Sequence, residues 1–239
     1  MIESALLKLR RRDYIGPDEE QAIRDGTSEA QTVAPRTTII REGEVLNRST
    51  LLLDGIMCRY KDLRNGERQI TALHVAGDFV DLHSFTLRKL DHNIMALTRC
   101  RYTTVAHQAL KRITEDFPHL TRVFWFATNL DAAIHREWEL SLGRRQAISK
   151  VAHLFCEMHV RLGIVGLAAE DGYDLGLTQN DLAECVGLTP VHVNRTLKEL
   201  RIRELVSFRA GRVTIHDREG LKRIGEFEPA YLYLDYADR

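Results

Sequence analysis

Residues 177–217, "LTQNDLAECVGLTPVHVNRTLKELRIRELVSFRAGRVTIHD", decide how this chain is read. Thr178 can cap a first helix, and Asp181, three residues on, gives that helix a negative first turn. Small Ala183 permits close helix contact, and Gly187 supplies a tight turn. Thr189 then caps a second helix that opens on Pro190, where a missing N–H costs nothing. Two helices joined by a glycine turn form a helix-turn-helix. In the second helix Val193, Leu197 and Leu200 recur at i, i+4 and i+7. Val191, Arg195 and Lys198 repeat that spacing two residues out of phase, about 200° around the axis. One face packs and the opposite face is presented. "LVSFRAGRVTI" then reads as two short strands around Ala210-Gly211, a wing with Arg209 and Arg212 near its tip.

Charge sharpens this. The whole chain is neutral, with 34 Lys+Arg against 34 Asp+Glu, so composition alone favours no partner. Between Thr189 and Arg223, however, nine Lys/Arg face four Asp/Glu, the footprint expected of a DNA-binding face.

Working outward, "AISKVAHLFCEMHVRLGI" (147–164) has helical periodicity through Ile148, Val151, Ala152, Phe155, Met158 and Leu162, and a polar stretch follows it. From Pro118 to about Leu142, Leu120, Val123, Ala127, Leu130 and Ile134 follow the 3,4,3,4 spacing of a two-helix coiled-coil seam. Pro118 suits the first turn and Gly143 a stop. The same helix can instead pack on its own barrel, and Phe124, Trp125 and Phe126 broaden its apolar surface enough to serve both. From about Arg36 to Ala106 the text is strand-like: "TTII", "STLLLDGIMCRYKD", "RQITALHV" and "NIMALTRCRYTTVA", broken by turns. Asn65-Gly66 between two such runs predicts a hairpin with a tight type I′ turn. Residues 3 to 25 read as a short helical lead-in. The fold class expected is α+β: an N-terminal antiparallel β-barrel over 1–117, a long helix over 118–143, and a winged helix-turn-helix over 144–239.

No apolar run approaches the roughly 18 residues of a membrane span, and "MIESALLKLRRRDY" lacks a signal-peptide core, so the expected location is cytoplasmic. Cys58, Cys100, Cys156 and Cys185 lack the C-x-x-C spacing of metal or redox loops and are expected as buried free thiols. No nucleophile elbow, phosphate loop or zinc-hydrolase helix motif supports catalysis.

These motifs resemble those of the Crp/Fnr family of bacterial transcription regulators, along almost the whole chain. The strongest part is "LTQNDLAECVGLTPVHVNRTLKEL"; "PRTTIIREGE", "LLLDGIMCRYKD", "NGERQITALHVAGDFVD" and "GLKRIGEFEPAYL" fit as well. The resemblance implies a cyclic-nucleotide-binding-like jelly roll, a dimerisation helix and a DNA-binding domain. Its further implications are a homodimer on a pseudo-palindromic operator of double-stranded DNA, RNA polymerase as partner, and a possible small-molecule effector. By resemblance Thr178, Asn180 and Thr189 touch the DNA backbone, and Arg195 reads a guanine edge. Pro190 and Val191 stand where relatives carry polar and acidic residues, so Val191, His192 and Asn194 are where operator choice can differ.

The effector pocket is expected around Asp81, His83, Ser84, Arg88, His92 and Asn93. Asp81-Leu82 falls where cyclic-AMP-binding relatives carry Gly-Glu, and His92-Asn93 where they carry an arginine and a hydroxyl. Cyclic AMP in the usual mode is therefore not expected. Nor is an iron-sulfur cluster, since no cysteine precedes Cys58; haem stays open. The alternative is a metal- or haem-responsive regulator or cupin-like metalloenzyme using Asp81, His83, His92 and His107.

Overall fold

The computed structural model describes residues 1–236; the last three residues of the expected 144–239 domain lie outside the described residues. Two compact units form, one from 1–60, 73–133 and the C-terminal residues from Tyr233, the other from 61–72 and 134–232.

In the first unit, α1 (Glu3–Arg10) and α2 (Pro17–Gly26) supply the helical lead-in. The strands that follow are β1 (Gln31–Val33), β2 (Thr37–Ile40), β3 (Arg48–Asp54), β4 (Met57–Asp62) and β5 (Arg68–His74), the end of β4 and most of β5 counting with the second unit. A short α3 (Ser84–Leu87) precedes β6 (Asn93–Ala96) and β7 (Cys100–Ala106), and α4 (His107–Asp116) leads to α5 (Pro118–Arg144). The strands make two antiparallel sheets, ordered β1-β7-β3 and β2-β6-β4-β5. This is the jelly-roll-like arrangement expected, a pair of sheets that each end on edge strands and do not close on themselves.

The hairpin at Asn65-Gly66 is present, but its turn differs from the type I′ expectation. Only Gly66 has positive φ, at 85°. Gly66 N donates to Leu63 O and Leu63 N to Glu67 O, while Asn65 Oδ1 accepts from Glu67 N. A type I turn followed by a left-handed glycine gives the same reversal, with Asn65 spared a positive φ.

Leu120, Val123 and Phe124 of α5 are buried with Ile2, Leu6, Leu51, Val105 and Leu110 in the core of the first unit, and Ala127 packs beside them. Two of the five residues expected in a coiled-coil seam are therefore already inside their own chain; Ile134 is also buried, and Leu130 is half-buried. At Leu120 and Val123 the 3,4 spacing marks the inward face of an amphipathic helix, a pattern that a seam and a domain core share. The outward face carries Trp125, 67% exposed, with Asn129 and Ala132. Gly143 lies within the helix rather than ending it.

The second unit is built on α6 (Ala147–Ile164), which is buried almost all round from Ser149 to His159. The polar stretch after it holds a hairpin the sequence pattern did not show, β8 (Ala168–Ala169) and β9 (Gly172–Asp174). Then come α7 (Gln179–Val186), α8 (Pro190–Ile202), β10 (Val206–Arg209), β11 (Arg212–Ile215) and α9 (Arg218–Gly225), closed by a 3-10 turn, Pro229–Leu232. The sheet order is β10-β11-β9-β8. All four cysteines are free and buried.

Candidate nucleic-acid interface

Thr178 caps α7: its hydroxyl accepts from Asp181 N at 3.2 Å while the Asp181 carboxylate accepts from Thr178 N at 2.7 Å. α7 ends on Gly187 in the left-handed region, φ 62°, which turns the chain toward the next helix without a Cβ penalty. Thr189 Oγ1 accepts from His192 N at 3.2 Å and Pro190 takes the first position of α8.

α8 buries Val193, Thr196, Leu197 and Leu200. Pro190, Val191, His192, Asn194, Arg195 and Lys198 are exposed, Val191 at 64%. Thr178, Asn180 and Thr189 at the helix starts are exposed too. The eleven DNA-facing residues read from the sequence thus stay in solvent, with Arg209 and Arg212 flanking the wing turn at Ala210-Gly211, where φ is 49° and 80°. Arg212 donates to Asp174 of β9 at 3.2 Å, which tethers one wing arginine.

Two features of this face escaped the sequence reading. Gln179 Oε1 accepts from Asn194 Nδ2 at 3.1 Å, fixing the orientation of a side chain on the presented face. The start of α6, Gln146 to Ser149, lines the same open groove as Val191, His192 and Arg195, and Gln146 makes no side-chain cap bond there. The unused N–H groups of a helix start attract phosphate. The visible signal was only the change of character at Arg145.

The side chains of the sensory residues make two sets of contacts. Asp81 is 0% exposed; its Oδ1 accepts from Thr50 N, and its Oδ2 has no partner. Burial pushes its carboxyl up to about 7. His83 and His92 sit together, ring centroids 5.5 Å apart, and burial followed by the nearby Arg59 guanidinium lowers His83 to about 4. The Ser84 hydroxyl belongs to the other set, 3.2 Å from His107 Nε2 and 3.2 Å from Ser49 Oγ, with Arg88 Nη1 3.4 Å from His107 Nδ1. His107 is held below its ordinary range by burial and then Arg88. Asn93 Oδ1 accepts from Glu42 N at 3.0 Å. Among the described residues no three His, Cys, Asp or Glu side chains are placed to hold a metal, so Asp81, His83, His92 and His107 do not make the metal site considered as an alternative. Arg59, 3% exposed, was missed: it donates to Val80 O and pairs with Asp131 of α5 at 2.5 Å. Its signal was a charge inside the apolar run "IMCRY".

Comparison with known proteins agrees with this geometry. Residues 149–224 match the model of the Crp-like helix-turn-helix domain, and residues 30–117 that of the cyclic nucleotide-binding domain. A probable transcriptional activator of Rhizobium leguminosarum bv. viciae is 30% identical over 191 residues, 78% of this chain and 77% of the relative. The transcriptional activatory protein AadR of Rhodopseudomonas palustris is 30% identical over 179 residues, 72% of this chain and 71% of the relative. The structure of FixK2 from Bradyrhizobium japonicum superposes with a TM-score of 0.75 at 24% identity, covering 82% of this chain and 96% of that one. A jelly-roll sensory unit, a long helix and an exposed, correctly capped recognition helix meet these relatives on the same ground: the chain belongs to the Crp/Fnr family and is a DNA-binding transcriptional regulator.

Proposed function

We propose that the protein binds a pseudo-palindromic operator as a homodimer, with α8 of each copy in the major groove, and acts on transcription through RNA polymerase. The observation that carries this is the division of α8: Val193, Thr196, Leu197 and Leu200 are buried while Val191, His192, Asn194, Arg195 and Lys198 are all free to meet DNA. Arg195 is the base reader, through paired hydrogen bonds to a guanine edge. Val191 meets a thymine methyl, and His192 and Asn194 meet bases or phosphate, Asn194 being pre-set by Gln179. Lys198, Arg209, Arg212, Thr178, Asn180, Thr189 and the start of α6 hold the backbone. With Leu120 and Val123 committed to the core, the second copy docks on the face that presents Trp125, Asn129 and Ala132.

Any effector of the sensory unit does not bind as cyclic AMP does in the usual mode, a reading supported by the buried Asp81 carboxyl and by an Arg59 already engaged with Val80 O and Asp131. A binding-site selection with Arg195→Ala tests the assignment. The expected loss is about 1–3 kcal/mol of operator affinity with flattened preference at one base position; unchanged discrimination removes Arg195 as a reader. Lys198→Ala should instead weaken binding to all sequences alike and lower the salt slope by roughly one.

A further inference from the structure

Glu157, in the middle of α6, is 0% exposed. Three donors converge on it: Trp138 Nε1 at 3.3 and 3.1 Å from its two oxygens, Arg161 Nη1 at 2.9 Å and the Tyr231 hydroxyl at 2.9 Å. The chain of contacts then continues. The Tyr231 oxygen lies 3.1 Å from His153 Nε2, and His153 Nδ1 lies 3.0 Å from Gly225 O. Four pieces of the second unit are thereby tied together: the C-terminal stretch of α5, the middle of α6, the end of α9 and the Pro229–Leu232 turn.

Proton counting shows what this arrangement requires. Three contacts run from Gly225 O through His153 and Tyr231 to Glu157, and each needs one hydrogen. A neutral imidazole supplies one, a phenol one and an ionised carboxylate none. Gly225 O can only accept, so Nδ1 carries the imidazole hydrogen. If Tyr231 then donates to His153, its oxygen faces Glu157 with no hydrogen between them; if it donates to Glu157, Nε2 faces the phenol oxygen with none. A third proton, on Nε2 or on Glu157, completes all three.

The neighbouring charges decide when it arrives. His153 is faced by Arg145, by Glu137 at 3.7 Å, by Tyr231 and by the Phe227 ring; Arg145 itself pairs with Glu137. Glu157 is faced by Arg161, Trp138, Tyr231 and, more distantly, the Tyr173 phenol and His153. Burial and then Arg145 hold His153 below the usual imidazole range, outweighing the pull of Glu157, Gly225 O and Glu137. Burial and Glu157 keep the Tyr231 phenol protonated far above its ordinary range. Taken up on His153 Nε2, the third proton enters below the usual imidazole range.

We propose that Glu157 is a positioning residue for operator binding, at the centre of a proton-completed joint that seats the Trp138 stretch of α5 and the Tyr231 turn on α6. Its effect on DNA rests on the operator-binding reading above; the joint itself does not, and it can be observed in the free protein.

Imidazole and indole N–H resonances of the full chain, followed by NMR from pH 4.5 to 8 (roughly two units either side of an ordinary imidazole), read it directly. His153 is expected to titrate below the ordinary imidazole midpoint, and the Trp138 indole to shift with the same midpoint, because both report on one carboxylate. In Tyr231→Phe, which keeps shape and removes the linking hydroxyl, the Trp138 shift should no longer follow His153. A Trp138 resonance indifferent to His153 in the native chain, or coupling unchanged in Tyr231→Phe, overturns the joint. At fixed salt, operator affinity should show a several-fold step at that midpoint which Tyr231→Phe abolishes. Coupling without that affinity step overturns the positioning role while the DNA-binding reading stands; no operator binding at any pH defeats the DNA-binding reading instead.

Discussion

Asp81 in one unit and Glu157 in the other are both fully buried carboxylates, and the two are treated in opposite ways. Glu157 receives an indole, a guanidinium and a phenol, so both of its oxygens are occupied. Asp81 is held by Thr50, whose backbone N–H donates to Oδ1, and its Oδ2 has no hydrogen-bond partner. Burial without partners raises the cost of charge, whereas burial among donors turns the charge into a fastener. The DNA-binding unit thus uses its buried acid to hold elements in place. The sensory unit keeps an acid whose charge, at about 7, is decided near neutral pH.

The sharpest way to break this contrast is to remove the fastener. Glu157→Ala removes the buried acceptor that Trp138, Arg161 and Tyr231 share. Losing one partner of a buried pair typically costs about 3–5 kcal/mol. Urea unfolding should show that loss in the transition of the second unit; a change below about 1 kcal/mol, the size of an ordinary surface substitution, would mean that the three donors find other acceptors.

Asp81→Asn should have the opposite sign at alkaline pH. The folded carboxyl titrates at about 7 against an ordinary 3.8, so between those values the folded chain holds a proton that the unfolded chain has released. Stability contributed by that proton is fully present below the ordinary value and lost as pH rises through 7. Asparagine keeps the acceptor for Thr50 N–H and cannot ionise. At pH 8, above the folded midpoint, the variant should gain about 2 kcal/mol on the native chain, less than the full shift at about 1.4 kcal/mol per unit because water and local relaxation shield part of it. The gain should vanish only below about pH 3, where an aspartate is largely protonated in either state. A pH-independent difference would show that Asp81 is ionised throughout.

The contrast also separates what could be read in the sequence from what could not. Local chemistry was legible: Thr178, Gly187, Thr189 and Pro190 set cap, turn and helix start within a few residues of themselves, and each has the geometry its type requires. Long-range pairing was not. Trp138, Glu157 and Tyr231 span 93 positions, and nothing in the local pattern says that the acid in "FCEMH" points inward, because its helix is buried on nearly every side. Arg59 and Asp131 are 72 positions apart and met the same obstacle. The α5 periodicity was seen correctly yet left two destinations for Leu120 and Val123, since an apolar stripe records that a face is covered and not by what. The histidines of the sensory unit fared worst: sequence proximity suggested one cluster, whereas α3 and the strands send His83 and His92 one way and Ser84 and His107 another.

His83 offers the smallest and most discriminating effect. Its imidazole titrates at about 4 in the folded chain against an ordinary 6.5, because burial and Arg59 disfavour the cation. Between those values the unfolded chain carries a proton that the folded chain refuses, so stability contributed by His83 is present above 6.5 and lost as pH falls toward 4. This slope opposes that of Asp81 across nearly the same window, and the native chain should look almost indifferent to pH there. His83→Gln removes the charge change and leaves the Asp81 slope exposed. The variant should gain about 1 kcal/mol on the native chain at pH 5, where the unfolded imidazole is largely charged, and almost nothing at pH 8. Combining it with Asp81→Asn should restore a flat profile. If the two changes fail to add, the charges of His83 and Asp81 are coupled, and Arg59, which acts on both, is the group through which they communicate.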